Sequence, residues 1–150
     1  MVVRLRRMSW LDEQIAKAEE MQSKEALLMD HAPKIYEDLW QRLLKIVEEA
    51  KTKPLGLQFS AGGSSGERHL EAATPGIPMN DRMLDFRLSA DDRIITVTIP
   101  GRPGTTFMFE IGIGDDGIVG LRREGVPIAE QDAAHLIMGT FLFPKIYGND

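Results

Sequence analysis

The chain has 150 residues, a formal net charge of −5, 43% hydrophobic residues and no cysteine. Its acidic balance disfavours a broad electrostatic footprint on nucleic acid or anionic lipid, and the missing thiols exclude thiolate catalysis, thiolate metal sites and disulfide scaffolding. The length is that of one domain, expected over 1–150 with a helical N-terminal region over 1–53 and a sheet plus C-terminal helix over 54–150.

Met1 to Arg7 is basic, and Arg4, Arg6 and Arg7 read as a solvated end. Ser9 to Glu20 is amphipathic and charged, so no secretory signal is expected and the expected compartment is the cytoplasm. No run approaches the roughly 20 apolar residues of a membrane span, the longest cluster being Leu136 to Phe143.

Ser9 followed by Asp12 resembles a capping box, which predicts a helix from about Trp10. Its apolar stripe, Leu11, Ile15 and Ala18, is thin before Met21, as in a helix that is solvent-exposed or lacks a partner. Pro33 predicts a break, with Asp30 or His31 capping a second helix. In that helix Ile35, Leu39, Leu43, Ile46, Val47 and Ala50 recur at three- and four-residue steps, and Lys53-Pro54 ends it.

Leu55, Leu57 and Phe59 alternate as a short strand, Ser60 to Gly66 reads as a glycine and serine loop, and Arg68 to Ala73 reads as a return strand. Pro75, Gly76 and Pro78 then interrupt the pattern. Leu84, Phe86 and Leu88 can be registered against Ile99, Val97 and Ile95 across a two-residue turn at Asp91-Asp92. The opposite face carries Asp85, Arg87, Ser89, Thr96 and Thr98, the pattern of an antiparallel pair with one buried side. In the next hairpin Phe107, Phe109, Ile111 and Ile113 point inward. A three-residue loop from Asp115 to Gly117, with Gly117 left-handed, sets Ile113 against Val119 and Ile111 against Leu121. A turn at Glu124-Gly125 leads to a final helix from about Ala129 to Phe143.

No catalytic constellation, metal-ligand cluster or nucleotide fingerprint stands above background. The Ser60 to Gly66 stretch lacks the lysine and hydroxyl ending of a P-loop and is not followed by a helix. His69 and Glu71 share a strand face and, with Arg68 and Ser64 or Ser65, form the nearest approach to an acid-base group, but no strained nucleophile turn accompanies them. Asp91-Asp92 and Asp115-Asp116-Gly117 are what tight turns demand and lack the ligand alternation of an EF-hand. His135 sits among apolar residues of the final helix, a setting typical of interior or interface histidines.

Leu136, Ile137, Met138, Phe141, Leu142 and Phe143 cover more than one stripe of that helix, so it is either sandwiched between sheet and N-terminal helices or part of an interface, with Trp40, Met21 and Met29 as further apolar surface. The expected fold is α+β: two N-terminal helices, an antiparallel meander of four to six strands and a C-terminal helix packed on one sheet face. The expected function is a non-catalytic interaction module, homodimeric, with Trp40, Leu136, Met138, Phe141, Leu142 and Phe143 as interface and no cofactor or metal. The alternative is a small-ligand protein or enzyme with a pocket between sheet and C-terminal helix, anchored by His69, Glu71, Arg87 or His135.

Overall fold

The computed structural model describes residues 9–101 and 104–147, the side chains of 77–81 excepted; Arg4, Arg6 and Arg7 lie outside the described residues. The fold is α+β: a long N-terminal helix, a seven-stranded antiparallel sheet and short C-terminal helices. Helix α1 spans Trp10–Lys51, strands β1 to β6 span Gln58–Ser64, Glu67–Thr74, Ile77–Leu88, Ile94–Ile99, Thr105–Ile113 and Val119–Arg123, β7 spans Val126–Ile128, and α2 and α3 span Glu130–Leu142 and Pro144–Tyr147. The strands lie in the sheet in chain order, β1 to β7, so every neighbour is a sequence neighbour.

The α1 N-cap forms as its sequence specifies, Ser9 Oγ accepting from the Asp12 amide at 3.1 Å. The expected break at Pro33 does not occur: α1 is one helix of 42 residues with Pro33 inside it, and His31 lies mid-helix with its ring nitrogen 2.9 Å from the Leu27 carbonyl. An interior proline costs about 3 kcal/mol. Leu28 and Ala32 before it and Tyr36 and Leu39 after it are all buried, and a buried leucine alone contributes roughly 1.5–3 kcal/mol, so burial on both sides of the proline outweighs its cost.

In the sheet Leu88 pairs with Ile95 and Phe86 with Val97 as expected, although the ladder ends at Asp85–Thr98, short of Leu84 and Ile99. The connection is longer than two residues: Ser89 N donates to Ile94 O, the Ser89 hydroxyl accepts from the amides of Arg93 and Ile94, and Asp92 sits at φ 58°. The next hairpin follows expectation, with Ile113 opposite Val119, Ile111 opposite Leu121 and Gly117 at φ 77°.

Three differences remain. Ser60 to Ser64 belongs to β1 and pairs in unbroken register with β2, leaving Ser65-Gly66 as the turn. Strand β3 begins at Ile77, ahead of Pro78, with a register shift between Ala72 and Thr74. A short seventh strand, β7, follows a Glu124-Gly125 turn whose two residues both have positive φ, the geometry a two-residue hairpin favours.

One face of the sheet carries Leu70, Leu84, Phe86, Ile95, Val97, Phe109 and Ile111, buried against α1 and α2. Arg82 donates to the Leu142 carbonyl at 2.5 Å and so satisfies the C-terminal end of α2. Tyr147 folds back onto α2, its ring lying where a side chain at Gly139 would stand.

Candidate functional site

Strand alternation and register bring His69, Glu71 and Arg87 to the sheet face away from the helices. His69 stands opposite Asp85, Glu71 opposite Met83 and Arg87 opposite Glu67. All three candidates are exposed. Arg87 is paired with Glu67 at 3.1 Å. The His69 ring covers Gly62 on the neighbouring strand, within 3.0 Å of where a Cβ would be, so part of its work is to pack over a bare strand position. Beside this group a cleft of about 520 Å³ is lined by Asp85, Arg87, Leu88, Ser89, Thr96 and Thr98.

Arg68 does not join His69 and Glu71, because alternation turns it to the helix side. There its guanidinium lies 5.6 Å from the Tyr36 ring centroid and 5.7 Å from that of Trp40, and it pairs with Glu37 at 2.5 Å. The hydrogen bond from Arg68 holds the Glu37 carboxyl below the usual carboxylate range. Tyr36 donates to the Phe86 carbonyl, and burial pushes its hydroxyl up to about 12.

His135 is exposed on α2, beside a smaller cleft of about 220 Å³ formed with Arg42, Lys45, Ile46 and Glu49 of α1. It is on the helix side and does not converge with His69, Glu71 and Arg87, so these four do not meet between the sheet and α2. At the start of α2, desolvation raises the Glu130 carboxyl above its ordinary value although Arg42 lies 3.7 Å away.

Two of the turn carboxylates, Asp91 and Asp116, are used by their own turns. Asp91 accepts from the Ser89 hydroxyl, which lowers its pKa, and Asp116 accepts from the Ile118 amide. Among the described residues no group of three or more His, Asp or Glu side chains is placed to hold a metal ion.

Of the six interface candidates, Trp40, Met138, Phe141 and Leu142 are buried in the chain's own core and Leu136 is half-buried against it; Phe143 is exposed. The final helix is thus sandwiched, packing on both α1 and β3. A run of uncovered apolar residues lies along the first turns of α1. Burial in α1 begins near Leu28, and the turns before it leave Trp10 at 73%, Leu11 at 59%, Ile15 at 47% and Met21 at 62% exposure. A helix of 42 residues is about 63 Å long, against roughly 29 Å for the width of seven strands, so α1 outruns the sheet. Leu11 and Ala18 precede Ala32 and Leu39 in one seven-residue series, and Met21 precedes Leu28 in a second. The face that enters the core therefore continues along the arm. Glu25, which interrupts it, reaches Arg93 at 3.7 Å and marks where the helix leaves the sheet.

Among the described residues no helix is long and apolar enough to cross a membrane. Comparison with known proteins finds no matching family, no similar curated protein and no similar solved structure.

Proposed function

We propose that this chain is a non-catalytic protein–protein interaction module, an adaptor, regulator or small chaperone that works as a homodimer in the cytoplasm. The observation that carries the reading is the arm of α1, where the apolar face of a core helix runs on for several turns without cover. From Trp10 to Glu25 the carboxylates Asp12, Glu13, Glu19, Glu20 and Glu25 outnumber the cations Lys17 and Lys24, so the arm is acidic. The partner that fits is a protein presenting an amphipathic helix with Lys or Arg beside its apolar seam. The lack of cysteine fits a reducing compartment.

The test is the emission of Trp10, since Trp40 is buried and supplies a constant background. Titration with a synthetic leucine–lysine amphipathic peptide is expected to give a saturable, salt-sensitive blue shift that the Leu11→Glu/Ile15→Glu variant loses. Equal binding of a leucine–glutamate peptide, or no binding of either, removes the reading. A second reading, a small-ligand protein or enzyme, is supported by the cleft beside Asp85 and Arg87. Its test is a retained small molecule in the native mass spectrum that disappears on His69→Ala/Glu71→Ala.

A further inference from the structure

The two edges of the sheet are built differently. The backbone bond from Leu88 N to Gly66 O fixes which residues of β2 face β3. By alternation Gln58, Ser60, Gly62 and Ser64 of β1 bond to β2, while Phe59, Ala61 and Gly63 turn their N–H and C=O groups outward. The same argument from Gly114 N and Ile118 O leaves Pro127 as the outward residue of β7. Proline has no N–H, and β7 is three residues long, so that edge is closed by two of the devices that keep sheets from adding strands. Strand β1 has neither: it is seven residues long, QFSAGGS, with no charge and no proline. Among the described residues its outward groups have no hydrogen-bond partner in the chain.

We propose that β1 is the dimer seam, pairing antiparallel with β1 of a second copy about a two-fold axis at Ala61; this rests on the homodimer in the function proposed above. The sequence is self-complementary in that register. Ala61 meets its own copy, so the outward N–H and C=O groups of both strands pair. Phe59 falls opposite Gly63 of the other copy, an aromatic ring over a bare glycine, as His69 stands over Gly62 within the chain. On the other face Gln58 falls opposite Ser64, an amide opposite a hydroxyl. The absence of charge from 58–64 lets two identical strands approach without repulsion. Because β7 is closed, addition stops at two copies and gives a closed dimer of fourteen continuous strands rather than a filament.

Sedimentation of the full-length chain at micromolar concentration is expected to show a dimer. Ala61→Pro copies the device at Pro127, and Ala61→Asp sets two carboxylates face to face at the two-fold; each should weaken dimerisation by roughly tenfold or more. The Ala61 side chain is exposed, so Ala61→Asp retains the fold and carries the test if the proline variant does not fold. Hydrogen exchange adds a pattern: amides of Phe59, Ala61 and Gly63 slow with rising protein concentration, and those of Ser60 and Gly62 do not change. A monomer throughout, or a dimer that both Ala61 variants leave intact, overturns the proposal. A dimer lost instead in Leu11→Glu/Ile15→Glu moves the seam to the arm, which overturns the edge while leaving the interaction reading in place.

Discussion

The Tyr36 hydroxyl donates to the Phe86 carbonyl at 2.8 Å while the two rings stack with centroids 4.6 Å apart, so a single side chain of α1 holds β3 through both a hydrogen bond and a face. Tyr36→Phe keeps the stack and removes the donor. It is expected to cost roughly 1 kcal/mol in urea denaturation, the usual net worth of such a bond.

The same hydroxyl sets an alkaline limit. Burial raises its pKa from 10.0 to about 12, so between those values the folded chain keeps a proton that the unfolded chain has released. The contribution is fully present below pH 10 and is lost as pH rises toward 12, by roughly 3 kcal/mol at 1.36 kcal/mol per unit. Thermal melts across that range should show the descent in wild type and a flatter curve in Tyr36→Phe.

Arg68 joins Glu37 to the faces of Tyr36 and Trp40, so charge and shape both matter there. Arg68→Ala is expected to lose about 1–2 kcal/mol. Arg68→Lys should not restore it, because an ammonium does not stack as a planar guanidinium does. Denaturation midpoints of the two variants check both statements.

Gly63 and Gly66 make a paired test of the β1–β2 hairpin. A Cβ on Gly63, at φ 109°, would lie 2.4 Å from the Glu67 carbonyl oxygen, whereas one on Gly66, at φ 87°, meets nothing within 4 Å. Gly66→Ala should cost about 1 kcal/mol through its backbone conformation alone. Gly63→Ala adds a collision with backbone and should cost clearly more, which thermal unfolding of the two variants compares directly.

The arm of α1 should melt independently of the core. Ala18→Pro is expected to lower far-UV helical ellipticity while leaving the main thermal transition in place, because residues 9–26, Gln14 apart, are exposed. Leu39→Ala, in the buried half of the same helix, should cost about 2–5 kcal/mol.

Much of the sheet was legible because its determinants are local. Period-two alternation and the Asp115–Gly117 turn together specify Ile113 against Val119, with no need of the rest of the chain. Pro33 misled because its local penalty is set against burial of Leu28, Ala32, Tyr36 and Leu39, a tertiary quantity. Ser60 to Ser64 reads as loop by composition, yet β2 supplies its hydrogen bonds. His69, Glu71 and Arg87 were legible as polar strand residues, but alternation cannot say which polar face a helix leaves open. The apolar residues of α2 could be counted, whereas their burial depends on α1 lying across them.

The order β1 to β7 lets each strand find its neighbour as soon as that neighbour is synthesised. Helix α1 is the exception: made before every strand, it packs most extensively against α2, which is made after all of them. During translation the part of the α1 face that α2 covers therefore stays apolar and uncovered until α2 emerges. This is the interval in which a nascent-chain chaperone would have something to hold, and in which a stalled ribosome would leave the protein most prone to aggregate.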